Sequence, residues 1–118
     1  MANKQYRTPQ GLIYKVKRVL QQGKYNYALE ESVPRYPATS YPTGYARTIK
    51  VCESKQKAYE LLLTYLEKAY NDFEKKIHKD NKKLSDFATL LRTISYNAYK
   101  AYENKIELSD KILTKGIE

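Results

Sequence analysis

The chain has 118 residues, of which 42% are apolar and 30% are charged, and its formal net charge at pH 7 is +9. This is ordinary composition for one globular domain, and it excludes a chain that is disordered throughout. No apolar run reaches the length of about 20 residues that a membrane-spanning helix needs, and the first residues, MANKQYRTPQ, lack the hydrophobic region of a signal peptide. We therefore expect a soluble, cytoplasmic protein with a single domain, residues 1–118.

The positive charge is concentrated at one end of the chain. Residues 1–50 hold nine of the 22 Lys and Arg residues and only two acidic residues, Glu30 and Glu31. Residues 51–118 are nearly balanced, with thirteen basic and eleven acidic residues. Seven of the thirteen tyrosines also lie in the first fifty positions. Because basic side chains neutralise phosphates and flat rings accept unpaired bases, this combination favours nucleic-acid binding.

Residues 1–33 are predicted to form a basic helical segment. Thr8 as N-cap and Pro9 at the first helical position begin a helix over residues 9–22. Its apolar residues gather on one side at the helical period: Leu12, Ile13, Val16, Val19 and Leu20. Gly23 ends this helix, and residues 24–33, KYNYALEESV, form a second short helix that ends before Pro34.

Residues 34–47 are predicted to be a loop rich in tyrosine and proline. Three prolines break any regular structure, and the dipeptide Tyr-Pro occurs at 36–37 and again at 41–42. Proline favours an extended backbone for the residue before it, so the loop could present its rings on a stiff backbone. Alternatively, the rings fold back and cover the ends of the helices.

Residues 48–118 are predicted to form an antiparallel helical hairpin. The first helix, over about 48–79, carries an apolar stripe made of Cys52, Tyr59, Leu63, Leu66, Tyr70, Phe73 and Ile77. The second, over about 84–113, carries Leu84, Phe87, Leu91, Ile94, Ala98, Ala101, Leu108 and Ile112. The expected fold class is all-α: a small helical bundle with coiled-coil-like packing, in which the N-terminal helix packs on the long hairpin.

The second long helix also carries more rings than one hairpin seam can bury. Tyr96, Tyr99 and Tyr102 fall within seven residues. Arg92, Tyr96 and Tyr99 share a flank that points away from the apolar stripe, and they are therefore predicted to form a partner surface. We expect a protein partner or a homo-oligomer.

Catalytic and cofactor-binding groups are sparse in the sequence. His78 is the single histidine and lies among lysines, and the single cysteine, Cys52, cannot form an internal disulfide. The two lie 26 residues apart on one predicted helix, which is roughly 39 Å at 1.5 Å per residue. No cluster has metal-ligand spacing, and the four glycines do not form a nucleotide-binding loop. We therefore predict no enzymatic activity, no cofactor, no metal and no small-molecule substrate.

The sequence best supports a non-enzymatic protein that binds RNA or single-stranded DNA, as an accessory subunit of a larger nucleoprotein complex. The predicted contacts are phosphate neutralisation and tyrosine stacking. The residues assigned to them are Tyr14, Lys15, Lys17, Arg18, Lys24, Arg35, Tyr36, Tyr41, Tyr45, Arg47 and Lys50. The alternative is a protein–protein interaction module, either an oligomeric scaffold or a small accessory or inhibitor protein, without nucleic-acid binding.

Overall fold

A computed structural model describes residues 4–9, 11–33, 45–76 and 82–117. Within these residues, four strands precede three helices. The strands are β1 (Tyr6–Arg7), β2 (Ile13–Gln21), β3 (Lys24–Val33) and β4 (Tyr45–Cys52), and the helices are α1 (Lys55–Lys76), α2 (Lys82–Glu103) and α3 (Asp110–Leu113). All four strands pair antiparallel in the order β1-β2-β3-β4. The predicted all-α fold class is therefore wrong.

The segments that were predicted to be helices over 9–22 and 24–33 are β2 and β3. In β2, alternate side chains enter the core: Tyr14 and Val16 are each 3% exposed, whereas Lys15 is only half-buried and Lys17 is exposed. The period is therefore two, as in a strand. The helical interpretation placed Tyr14 on the outer face and overlooked that tyrosine and β-branched residues favour strands.

Gly23 is a hairpin turn residue rather than a helix stop. Gln22 and Gly23 have φ angles of 51° and 75°, and the pairs Gln21–Lys24 and Leu20–Tyr25 follow directly on either side. Two consecutive residues with positive φ are typical of a two-residue turn whose twist matches the flanking strands. The turn therefore fixes the register of β2 against β3 along their whole length.

Thr8 and Pro9 lie in the turn between β1 and β2, not at a helix N-terminus. The Thr8 amide donates to the Leu12 carbonyl at 2.9 Å, and the Thr8 hydroxyl accepts from the Leu12 amide at 3.1 Å. The Gly11 amide donates to the Thr8 carbonyl at 3.0 Å, and Gly11 has a φ of 94°. Thr8 therefore does not cap a helix, as was predicted. Its carbonyl closes a β-turn with Gly11, and its hydroxyl binds the Leu12 amide.

The first long helix begins at Lys55 rather than near residue 48, because residues 45–52 pair with β3 as β4. This pairing contains a bulge: Leu29 lies opposite Lys50 and Glu30 lies opposite Thr48, so Ile49 is the extra residue. The Ser54 hydroxyl then accepts from the Lys57 amide at 3.3 Å, in the first turn of α1.

The second long helix ends at Glu103 rather than near residue 113. Lys105 has a φ of 57°, and the Ile106 amide donates to the Ala101 carbonyl at 2.8 Å. A residue in the left-handed conformation is a common helix end. The chain then turns, and Ser109 caps α3 by accepting from the Ile112 amide at 3.2 Å.

The two long helices run antiparallel, and α1 lies between the sheet and α2. The Tyr70 and Phe87 rings are 6.4 Å apart, and the Tyr102 hydroxyl donates to Glu60 at 3.2 Å. On its other side, α1 packs against β2, β3 and β4. A helical bundle with coiled-coil packing is therefore also wrong, because the apolar surface of α1 is shared between the sheet and α2.

A single apolar core joins the sheet and the helices. It contains Tyr6, Tyr14, Val16, Leu29, Leu62, Leu66, Phe87, Ile94, Leu108 and Leu113, all at most 4% exposed. None of the described helices is long and apolar enough to cross a lipid bilayer.

Candidate functional site

A basic cleft opens where the middle of the sheet meets the starts of α1 and α3. Its volume is about 630 Å³, and it is lined by Val16, Lys17, Arg18, Tyr27, Lys55, Tyr59, Ser109, Asp110 and Lys111. Arg18, Lys55 and Lys111 give it three cationic side chains and Asp110 gives it a carboxylate, whereas Lys17 alternates with Arg18 along β2 and directs its side chain to the other face of the sheet. Positive charges in a concave site raise the local concentration of anions, so the cleft is suited to an anionic ligand.

Three separate parts of the fold hold the cations of the basic cleft. Arg18 lies opposite Tyr27 in the β2–β3 register, two residues beyond the buried Val16 on the helix-covered face. Lys55 is the first residue of α1, and Lys111 lies in α3, two residues after the capping residue Ser109. The cations are therefore fixed by strand pairing and by capped helix ends rather than by a single flexible loop.

The one carboxylate of the basic cleft is bound to the N-terminal part of the chain. The Tyr6 hydroxyl donates to Asp110 Oδ1 at 2.8 Å, and the Lys4 amide donates to Asp110 Oδ2 at 3.3 Å. Burial, together with the nearby Asp110 carboxylate, raises the pKa of both Tyr6 and Tyr59 well above the usual tyrosine range. Both phenols therefore stay protonated and neutral at physiological pH.

The lysines of the basic cleft remain available to a ligand. Within the described residues, neither Lys55 nor Lys111 forms a salt bridge. Asp110 is instead satisfied by Tyr6 and the Lys4 amide. The cleft therefore carries an excess of positive charge that is not neutralised from within the described part of the protein.

An exposed ring stands beside the cleft, near the end of the β2–β3 hairpin. Arg18 Cζ lies 4.5 Å from the centre of the Tyr25 ring, and Tyr25 is 53% exposed. Leu20, which lies opposite Tyr25 on β2, is 62% exposed. Because Arg18 contacts the ring and also lines the cleft, the ring and the cations form one continuous surface.

The sequence-predicted binding residues are distributed over several parts of the structure. Arg18 lines the basic cleft, whereas the side chain of Lys17 lies on the other face of the sheet. Lys24 is exposed beside the hairpin turn, where it lines a separate depression with Gln21, Gln22, Asn26 and Glu53. Lys50 lies on β4, two strands away from Arg18, beside Lys57 and Glu60 of α1.

Two other predicted binding residues, Tyr14 and Arg47, share one buried partner. Tyr14 is a core residue, and its hydroxyl donates to Glu31 at 2.7 Å. Arg47 Nε donates to the same carboxylate at 2.8 Å, while Glu31 itself is only 4% exposed. Tyr14 and Arg47 thus satisfy a buried charge, which the sequence pattern did not reveal because Glu31 was assigned to a short helix rather than to a strand.

Lys15 lies 3.7 Å from Glu30 in a partly exposed ion pair across β2 and β3. Arg35, Tyr36 and Tyr41 lie outside the described residues, as does the side chain of Tyr45, whose backbone begins β4. The loop predicted over 34–47 therefore lies outside the description except for its last three residues, which belong to β4.

The predicted partner residues are together on the surface of α2. Tyr96 is 59% exposed and Tyr99 is 63% exposed, and Arg92 is also exposed. By contrast, sequence reasoning missed Lys55 and Lys111 in the basic cleft. Both lie in the half of the chain whose charges balance, so no local excess of positive charge singled them out.

Within the described residues, no group of three or more His, Cys, Asp and Glu side chains could hold a metal ion. Cys52 is a buried free thiol, and His78 lies outside the described residues. Comparisons with protein-family models, curated proteins and solved structures give no significant match.

Proposed function

We propose that this protein binds single-stranded nucleic acid, RNA or single-stranded DNA, through the basic cleft and the adjoining Tyr25 ring. The observation that carries the proposal is the meeting of three cationic side chains, Arg18 of β2, Lys55 of α1 and Lys111 of α3, beside an exposed aromatic ring. The backbone phosphates lie in the cleft, and an unpaired base stacks on Tyr25. This is a binding role without catalysis, in the cytoplasm, as an accessory subunit of a nucleoprotein complex.

Charge and ring chemistry together support a single strand over a duplex. Lysine and arginine neutralise phosphates of either form, but only an unpaired base offers its face to a side chain. Tyr25 is exposed near the end of the β2–β3 hairpin, so an unpaired base can stack on it directly. A paired base would first have to leave its double helix. Arg18 holds one side of the ring and also reaches the cleft, so it couples the stacking site to the phosphate site.

The number of cations sets the expected salt dependence. If three phosphates are neutralised, the logarithm of the association constant falls with the logarithm of salt concentration with a slope of about −2, using about 0.7 per phosphate for single strands. A four-fold rise in salt then weakens binding by about 20-fold. Weaker dependence means fewer phosphate contacts than the cleft provides.

The test is fluorescence anisotropy with labelled oligouridine and oligothymidine over a salt series. The variant Arg18→Ala/Lys55→Ala/Lys111→Ala should lose binding to both oligonucleotides. A matched control removes three exposed lysines elsewhere on the helices, Lys68→Ala/Lys75→Ala/Lys82→Ala, and so changes the net charge equally. Equal losses in the two triple variants would show that net charge alone acts, and a wild-type protein that binds neither oligonucleotide at low salt would refute the proposal.

A protein–protein interaction module is the second candidate function. The observation that favours it is the exposed surface of α2 around Tyr96 and Tyr99, which lies apart from the basic cleft and carries large rings that are common at interfaces. Loss of partner binding in Tyr96→Ala/Tyr99→Ala, with oligonucleotide binding unchanged, would favour this function.

A further inference from the structure

The outer face of α2 carries a short row of large and charged side chains. Arg92, Tyr96, Tyr99 and Glu103 are separated by steps of four, three and four residues, and all four are exposed. At 3.6 residues per turn they lie within a sector of about 60° on one side of the helix. We call these four residues the α2 row.

The α2 row points away from the core of its own subunit. Ile94, Ala98 and Ala101 lie on the opposite side of the helix and are at most 3% exposed. Tyr96 and Tyr99, by contrast, are 59% and 63% exposed. Two neighbouring tyrosines with more than half of their surface in water form a contact area that the fold itself does not use.

The order of side chains in the α2 row is complementary to its own reverse. Arg92 and Glu103 lie at the two ends of the row, and Tyr96 and Tyr99 lie between them. The charged pair and the tyrosine pair are both centred on the midpoint between residues 97 and 98. When two copies of α2 lie antiparallel about this point, Arg92 of each copy faces Glu103 of the other. Tyr96 of each copy likewise faces Tyr99 of the other.

We propose that α2 is the interface of a two-fold homodimer, in which a second copy of this chain docks antiparallel on the α2 row. A two-fold interface uses the same patch on both subunits and must therefore be self-complementary in charge and shape, which the α2 row satisfies. The central rings supply the contact area, and the terminal ion pairs fix the direction and register. The inference does not depend on nucleic-acid binding, because the α2 row shares no residue with the basic cleft.

Neighbouring side chains keep the α2 row in place without covering it. Lys100 Nζ lies 3.6 Å from Glu103 and 5.8 Å from the centre of the Tyr96 ring. Lys100 lies on the flank of the row and so orients both Glu103 and Tyr96. Tyr102, on the opposite flank, donates its hydroxyl to Glu60 of α1 and remains with its own subunit.

The test begins with sedimentation velocity of nuclease-treated protein from micromolar to millimolar concentration near physiological salt. The wild type should pass from monomer to dimer, and Tyr96→Ala/Tyr99→Ala should weaken dimerisation on the order of a hundred-fold, because central rings dominate small interfaces. A wild type that remains monomeric throughout, or a dimer that the double tyrosine variant leaves intact, would overturn the proposal.

Charge reversal tests the register of the dimer. Arg92→Glu alone and Glu103→Arg alone should each weaken dimerisation by about ten-fold, because two ion pairs per dimer become like-charge contacts. The variant Arg92→Glu/Glu103→Arg should restore it, since each pair is re-formed with its charges exchanged. Lys68→Glu, on the exposed face of α1, is the matched control and should have no effect. Failure of the double reversal to restore the dimer would contradict the antiparallel register.

Cross-linking distinguishes the proposed dimer from other occupants of the α2 row. In a Cys52→Ser background, Arg92→Cys protein mixed with Glu103→Cys protein should be joined by a short bismaleimide reagent. Neither protein alone should be joined efficiently, because positions 92 of the two copies are separated by about 16 Å along the helix axis. Equal cross-linking in all three samples would overturn the register. Loss of oligonucleotide binding in Tyr96→Ala/Tyr99→Ala, without any dimer in the wild type, would show that the row binds nucleic acid instead.

Discussion

Replacing Tyr25 by alanine separates base stacking from phosphate binding in the proposed nucleic-acid site. Tyr25 is 53% exposed, and Arg18 Cζ lies 4.5 Å from the centre of its ring. The ring contributes no charge, and it is not part of the apolar core. Tyr25→Ala should therefore remove a stacking contact without unfolding the sheet and without removing any cation from the cleft.

The magnitude follows from the worth of one stacked base. Stacking of a base on an aromatic side chain contributes about 1–3 kcal/mol, which corresponds to a rise in the dissociation constant of about 5- to 150-fold for Tyr25→Ala. Tyr25→Phe should bind within a few-fold of the wild type, because the ring and its contact with Arg18 are kept. The slope of affinity against salt should be the same in all three proteins, since none of them differs in phosphate contacts.

The assay is anisotropy of a labelled oligouridine, measured over a salt series for wild type, Tyr25→Ala and Tyr25→Phe. Leu20→Ala is the matched control, because Leu20 lies directly across the hairpin from Tyr25, is 62% exposed and has no ring on which a base could stack. Similar losses for Leu20→Ala and Tyr25→Ala would mean that the hairpin acts through its shape or stability. A change in the salt slope for Tyr25→Ala, or full affinity in that variant, would refute the assignment of stacking to this ring.

Three further predictions follow from the same structure. Lys55→Ala should reduce the magnitude of the salt slope by about 0.7, because it removes one phosphate contact, and a slope equal to that of the wild type would place Lys55 outside the site. Tyr14→Phe should lower the free energy of unfolding by about 1.5–3 kcal/mol in chemical denaturation, because it deletes a hydrogen bond to the buried Glu31 carboxylate. The pKa of Tyr6 and Tyr59 is higher in the folded state than in the unfolded state, so the unfolded chain loses these protons first as the pH rises. The free energy of unfolding should therefore be unaffected at neutral pH. Above about pH 10 it should fall by about 1.4 kcal/mol per pH unit for each tyrosine. Tyr6→Phe should have a shallower alkaline slope in denaturation measured against pH, and an unchanged slope would contradict the role given to Tyr6.

The two long helices were predictable because their apolar stripes extend over several turns. Leu66 and Ile94 of the predicted stripes are fully buried, whereas Leu63 of the first stripe is only partly buried. The helix ends were not predictable from the stripes. Residues 45–52 could continue a helical pattern, but they pair with β3 as a strand. The spacing of apolar residues within one segment does not show which distant strand the segment can pair with.

The sheet was missed because a short run of apolar residues fits two periods. Ile13, Val16 and Leu20 have the spacing of a helix, whereas the structure uses Tyr14 and Val16 at the spacing of a strand. The deciding signal was present in the sequence. Gln22-Gly23 lies between two runs rich in tyrosine and β-branched residues, which is a pattern typical of a β-hairpin.

The basic cleft shows why charge counted along the chain located only part of the candidate site. Arg18 belongs to the basic first half, and the sequence pattern included it among the predicted binding residues. Lys55 and Lys111 come from the balanced half and join it because α1 starts beside the sheet and α3 returns to it. Conversely, Lys15 and Arg47 belong to the basic half but face Glu30 and Glu31. The relevant quantity is therefore the charge that remains after strand pairing, and within the described residues Arg18, Lys55 and Lys111 bring part of that charge to the cleft beside Tyr25.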